Sequence, residues 1–302
     1  AVYNYHFCNS YEDSKTAKHI GGSFAANGDT CNTDQRDDYS NLENERVNLG
    51  IVQEIDSLKT IFLNIGYKKK NDKAFLAANG NTKETPNNGD RYLNTTIDGN
   101  LYNGRYEIRT IDEKFTNILN VGFDHTHSFY DSKRHRKEDE SVGQSYDADL
   151  KVQAMYFQNT VYFNEIDTSF SFGVRSEKSE FDAKDEVNRA VPGFINSWDA
   201  TDHDAYRNST TNQALNVGIE KKVNKNVSLY GNYSESFRIP NIDERILATT
   251  SGSFALKDQE SDGIEIGVIY SNEVANLNIN YFDINTLNEI QYDQSVNTNL
   301  DP

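Results

Sequence analysis

Long apolar runs are missing from this sequence. No stretch of about 20 apolar residues occurs, so no helix of it could cross a bilayer. Proline is also scarce, at 4 in 302 residues, while tyrosine and phenylalanine number 18 and 16. Disordered chains lack aromatics, so disorder is excluded. Collagen-like and coiled-coil chains are excluded by composition too. An excess of basic charge is absent: the net charge is −17. A nucleic-acid partner needs a basic face, so none is expected. No charged-then-apolar signal segment opens the chain, and the single methionine, Met155, is internal. Both ends look cut, and the chain reads as a fragment. At roughly 100–200 residues per domain, its length allows two or three soluble domains or one large sheet-built one.

Cysteine is reduced to two residues, Cys8 and Cys31, flanking a Gly/Asn/Asp-rich stretch that reads as a long loop. Two cysteines alone cannot build a four-ligand zinc site. In an oxidising compartment they would close a loop of roughly 22 residues as a disulfide. In a reducing one they would be free thiols. Two basic clusters, Lys133–Lys137 and Lys68–Lys70, read as a solvated loop and as the end of a strand.

The periodicity present is that of strands. Residues 61–67 read Ile-Phe-Leu-Asn-Ile-Gly-Tyr, and 275–281 read Ala-Asn-Leu-Asn-Ile-Asn-Tyr. About eleven strands are expected, near 1–7, 43–55, 58–69, 91–110, 116–131, 148–163, 167–181, 212–223, 226–238, 259–271 and 274–292. A pattern of apolar, polar, apolar, glycine, apolar recurs, as in Leu63-Asn64-Ile65-Gly66-Tyr67 and Leu119-Asn120-Val121-Gly122-Phe123. It returns around Gly50, Gly173, Gly218 and Gly267, each time with the glycine on the polar face. Glycine weakens a strand, so something is expected to pack closely on that face.

The connections alternate. Links near 56–57, 111–115, 164–166, 224–225 and 272–273 are short. Those near 8–42, 70–90, 132–147, 182–211 and 239–258 are long. In an antiparallel meander this puts all tight turns at one end and all long loops at the other. Long strands, short turns on one side and long loops on the other are the grammar of an outer-membrane barrel. Its lipid-facing stripe would include Leu63, Ile65, Val121, Phe172, Val217 and Ile279. Its lumen stripe would include Asn64, Gly66, Gly122, Gly173, Gly218 and Asn278. Aromatics at strand ends, Phe129, Tyr130, Tyr162, Phe163, Phe181, Phe237, Phe282 and Tyr292, fit interfacial girdles. A soluble sandwich shares the period but not the one-sided loops.

Residues 227–270 are more specific. Tyr230, Tyr233, Phe237, Arg238, Pro240 and Glu244 are followed by Leu256, Lys257, Glu265 and Gly267. This segment resembles the TonB-dependent receptors of bacterial outer membranes. Their barrels carry Tyr-x-x-Tyr-Ser-x-x-Phe-Arg-x-Pro, an acidic pair, and then Leu-Lys-Pro-Glu-x-x-x-x-Tyr-Glu-Ile-Gly. Asp258 stands where proline is usual and Ile264 where tyrosine is usual.

The resemblance implies an all-β fold, a transmembrane antiparallel barrel of the 22-strand plugged type. About half of that barrel would lie in residues 1–302, without the N-terminal plug or the C-terminal strands. It implies a multi-pass outer-membrane protein, contacting lipid, with its long loops extracellular. It implies energised uptake of a scarce bulky solute, such as a ferric siderophore or similar chelate. TonB would be a partner through the plug. A plug against the wall would account for the lumen glycines. The motif residues Phe237, Arg238, Pro240, Glu244, Glu265 and Gly267 would be structural. The alternative is a passive porin-like channel or an adhesin on a similar wall.

Catalysis finds little support, and neither an enzyme nor a cofactor is expected. Nucleophile-elbow, phosphate-loop and dinucleotide fingerprints are missing. His125 and His127 share a strand face at a spacing two metal ligands could use, but that face continues an apolar stripe. Asp199, Asp202, His203 and Asp204 lack the spacing of a calcium loop. Solute contacts are expected from the long loops, with Trp198, Tyr206, Arg207, Arg245 and Phe254 as candidates.

Overall fold

A computed structural model describes residues 2–5, 39–76, 91–135, 144–187, 205–246, 255–293 and 296–300. The strands are β1 (Val2–Tyr5), β2 (Tyr39–Asp56), β3 (Lys59–Leu76), β4 (Arg91–Ile111), β5 (Phe115–His135), β6 (Gln144–Phe163) and β7 (Thr168–Val187). They continue as β8 (Tyr206–Asn224), β9 (Val227–Arg238), β10 (Gln259–Ser271) and β11 (Asn276–Leu287). A one-turn helix, α1 (Ile242–Ile246), lies between β9 and β10, and a hairpin of β12 (Ile290–Asp293) and β13 (Val296–Asn299) follows β11. The first eleven form one sheet in sequence order, with every pairing antiparallel and between neighbours. This is the expected meander. No helix among the described residues is long and apolar enough to cross a membrane.

The register carries the period of two across the sheet. One row runs Leu63, Gly104, Phe123, Met155, Ser176. The adjacent row, one residue along, runs Asn64, Asn103, Asp124, Ala154, Glu177. The six residues expected on the lipid side share the first face, and the six expected in the lumen share the second. The polar face is the crowded one: Glu177 is 9% exposed and Ala154 5%, against 43% for Leu63 and 51% for Ile65. Side chains converge on the inside of a curved sheet and splay on its outside, so the polar face is the concave one.

Strands β2 to β8 are 18 to 21 residues long. A tilted strand crosses hydrocarbon in about 9–11 residues, so each overshoots the apolar belt. The overshoot is toward the long loops. There the outer face of β6 and β7 turns from Phe157 and Val174 to ion pairs, Lys178–Glu180 at 2.5 Å, Lys151–Glu180 at 3.8 Å and Lys184–Asp147 at 3.7 Å. On β6 and β7 the apolar residues there, Tyr146, Ala148, Phe181 and Ala183, sit on the concave face instead, so the outward apolar stripe that marks a lipid-facing strand is lost. This corrects several expected strand ends. Lys68–Lys70 lie inside β3, and Lys133, Arg134 and His135 continue β5 rather than forming a loop. Strands β7 and β8 run to Val187 and from Tyr206, so the connection expected over 182–211 is shorter. At the same end β11 stops at Leu287, short of the expected 292, and Ile290–Asp293 belong to the separate hairpin.

The aromatic girdle is also corrected in part. Phe163 and Phe170 meet edge-on at 6.0 Å on the outer face near the tight turns. Tyr130 and Phe181 instead fall on the polar face by register, and they are buried there. With Tyr146, Ala148, Ala183 and Ile242 they form a small core at the loop end of the wall. Phe282 lies on the polar face, opposite Glu265.

Four of the six recurrent glycines have a cause inside the sheet: a Cβ on Gly66 would come 2.7 Å from Asn48 Oδ1 and one on Gly218 2.5 Å from Ser171 Oγ. A Cβ on Gly122 would come 2.4 Å from the Tyr156 ring, and one on Gly267 would come 2.4 Å from the Tyr230 ring. Each tyrosine is the glycine's direct cross-strand partner, so the ring lies flat over a position that must be bare. Gly50 and Gly173 have no such neighbour within 3.5 Å.

Candidate functional site

The described polar face and its loop end hold three groups of interacting side chains. The first is mid-wall. Arg175 on β7 donates from Nη1 to Asp124 at 2.5 Å and from Nε to Glu177 at 2.9 Å. Alternation puts Arg175 and Glu177 on one face, and the register brings Asp124 diagonally across two strands. Arg105 on β4, three strands from β7 on the same face, stacks on the Phe62 ring at 4.1 Å. The second group lies in the family-like segment. The Tyr230 hydroxyl and the Asn280 amide both donate to Glu265 Oε1, each at 2.7 Å.

The third group caps the wall at the loop end. β9 ends at Arg238, which donates to Glu244 Oε1 at 2.7 Å. Asn241 and Glu244 then bond reciprocally: the Asn241 N–H donates to Glu244 Oε2 and the Glu244 N–H donates to Asn241 Oδ1, both at 2.8 Å. This is a capping box, in which two orphan donors at a helix start are satisfied by each other's side chains. It starts α1 and turns the chain inward, so that Ile242 joins the small core. Pro240 is fully buried at the bend.

Arg245, one turn on, is 1% exposed. Its guanidinium lies 4.7 Å from the Phe181 ring centre, donates to the Leu256 carbonyl at 3.1 Å, and faces Asp258 at 3.6 Å. Burial pulls this guanidinium below its ordinary pKa, and the Asp258 charge opposes that shift. Asp258 Oδ2 accepts from Thr210 and from Asn212, both at 2.7 Å.

The expected solute contacts are therefore scattered. Arg245 is buried among Phe181, the Leu256 carbonyl and Asp258. Arg207 points to the outer face, 83% exposed, and pairs with Asp182. Tyr206 does face the concave side, half-buried with its ring 6.1 Å from that of Phe181. Trp198 and Phe254 lie outside the described residues, as do Cys8, Cys31, Asp199, Asp202, His203 and Asp204. His125 packs beside Tyr102 at 5.9 Å, while His127 bonds Asp149 at 2.7 Å. Among the described residues no cluster of three or more His, Cys, Asp or Glu could hold a metal ion.

Sequence reasoning missed Asp258. It noted the residue only as standing in the place of a proline. Its carboxylate is the countercharge of a buried arginine thirteen positions earlier. The available signal was an acid at the place of a proline, in a segment that also carries an arginine thirteen positions earlier.

An antiparallel meander, apolar outside and polar inside, with tight turns at one end, is the wall of a membrane-spanning barrel. The chain matches the family model "TonB dependent receptor-like, beta-barrel" over residues 3–302, and it belongs to that family. It is thus part of a bacterial outer-membrane receptor barrel. Among solved structures it resembles the ferric citrate transporter FecA in its unliganded form, with a TM-score of 0.67, 13% identity, and coverage of 84% of this chain and 36% of that one. It resembles the haemophore receptor HasR of Serratia marcescens, with a TM-score of 0.64, 13% identity, and coverage of 87% and 44%. It also resembles the ferric-catecholate import receptor Fiu of E. coli K12, with a TM-score of 0.61, 12% identity, and coverage of 88% and 44%. The chain therefore spans less than half the length of these three proteins. Among curated proteins none matches the sequence.

Proposed function

We propose that the whole protein is an energised importer that captures a scarce bulky solute at the long-loop end, and that the solute is a ferric siderophore or similar chelate. The observation that carries this reading is the family match along residues 3–302. The similar receptors, whose names speak of ferric citrate, ferric catecholates and haem, support a chelate. In this reading residues 1–302 are one part of the barrel. An N-terminal plug and further C-terminal strands complete it, and the plug hands the energy of TonB to the bound solute. The protein has no enzymatic step to perform, since binding and release suffice for import.

The contact residues are those of the connections on the concave side. Tyr206 stands at their root, and Trp198 and Phe254 belong to the connections themselves. The motif residues Phe237, Arg238, Pro240, Glu244, Glu265 and Gly267 shape the wall and its bend and do not touch solute.

The test uses cells carrying the intact gene. Removing residues 188–204, which spares both flanking strands, should abolish high-affinity uptake of one iron chelate while the barrel still assembles. Collapsing the proton gradient should stop uptake by the unaltered protein. Flux that survives the collapse and saturates weakly would favour a passive channel. Surface binding without uptake would favour an adhesin.

A further inference from the structure

The three consecutive residues Leu256, Lys257 and Asp258 are each tied to a different element. The Leu256 carbonyl accepts from Arg245 of α1 at 3.1 Å. The Lys257 main chain is held by one side chain of the terminal hairpin: its N–H donates to Asn299 Oδ1 at 2.8 Å, and its carbonyl accepts from Asn299 Nδ2 at 3.1 Å. The same amide nitrogen also donates to the Asn288 carbonyl at 2.8 Å. Asp258 is bonded to Thr210 and Asn212 of β8, and it faces the guanidinium of Arg245.

We propose that Leu256-Lys257-Asp258 is a clasp that makes α1, the β12–β13 hairpin and the end of β8 move as one unit, with Asp258 as its positioning residue. The physical reason is the state of Arg245. Its charge is buried, and apart from carbonyl oxygens its acid partner is Asp258. Without that carboxylate a buried cation lacks its countercharge, which a protein interior tolerates poorly. The arginine must then leave, and α1 and the Leu256 carbonyl leave with it. Proline at position 258 could neither accept from β8 nor neutralise the arginine. The clasp is thus tied to this chain's departure from the family motif. It goes beyond the transport reading and rests on it only for its consequence, that the root of two capturing connections is rigid before solute arrives.

The experiment is hydrogen exchange by mass spectrometry on the full-length receptor in lipid vesicles, without solute. Its outcome therefore does not depend on the capture reading. Asp258→Asn keeps the shape and an acceptor for β8 but removes the charge. It should speed exchange at residues 242–246 and at 290–299 by roughly 100- to 4000-fold, the size expected when a buried charge loses its partner. β9 and β10 should stay unchanged. Adding Arg245→Met, which removes the stranded charge, should restore most of the protection in α1. If Asp258→Asn blocks assembly, Asn299→Ala decides. That change cuts only the hairpin's tie to Lys257, and it should loosen α1 as well as the hairpin. The proposal is overturned if Asp258→Asn leaves α1 protected, or if Asn299→Ala loosens the hairpin alone.

Discussion

Leu63 and Asn64 are neighbours in β3, at the same depth in the wall and on opposite faces. Arginine at each separates depth from facing. At position 63 the guanidinium would enter the belt beside Ile61, Ile65 and Phe123, where nothing polar can receive it. An arginine at the midplane of a barrel's lipid face costs about 2–4 kcal/mol. At roughly 1.4 kcal/mol per factor of ten, the folded-to-unfolded ratio falls by about 30- to 700-fold. At position 64 the same side chain would enter the concave side. Gly50 stands directly opposite, and a Cβ built there meets nothing within 4 Å. Asn64→Arg has that space and water to fill, and should cost about 0.5 kcal/mol or less. The assay is reversible urea-driven folding of the whole barrel into lipid vesicles, followed by gel mobility of unheated samples. Equal costs for the two variants, or a larger one for Asn64→Arg, would refute the assignment of faces.

Other expectations follow from single contacts. Gly267→Val should destabilise the barrel by about 1–3 kcal/mol through overpacking against the Tyr230 ring, and Tyr230→Ala in the same chain should recover part of it. Urea titration of the two variants checks this; no recovery would put the cause of the glycine elsewhere. Glu244→Ala removes half of the capping box and should cost about 1 kcal/mol, read as faster amide exchange confined to residues 241–246. Cys8 and Cys31 should be joined by a disulfide on the long-loop side. Mass spectrometry of a non-reduced digest should find one cross-linked peptide, and two freely alkylated thiols would refute it.

The middle of each strand could be read from sequence because its two faces meet different media. Leu63-Asn64-Ile65-Gly66 announces a wall with lipid on one side, and the alternation is as sharp as the boundary that imposes it. Lys68 to Asp72 continue the same strand, but both of their faces are wet, so the residues record no side. The fold there is set by the hydrogen bonds of the preceding ladder, which leave no mark in composition. The loop-end group failed for a related reason. Arg245 carries the residue type of a surface contact, and only the inward turn set by Asn241 and Glu244 shows that it is buried. Arg175 and Asp124 are 51 positions apart and become neighbours only through the register of two intervening hairpins.

Because every strand of the sheet pairs with its neighbour in sequence, the wall can be laid down in chain order. Each new hairpin closes over a connection whose entropic cost rises only slowly with length, against an edge that already exists. Nothing distant has to be found first, which is what makes many β proteins slow to fold. The cost of this route is exposure. Until the circle is complete, one edge such as that of β11 is a row of open donors and acceptors, ready to join any other extended chain. A nascent barrel of this design must therefore be guarded along a single moving front, and a defect matters most when that front is passing it.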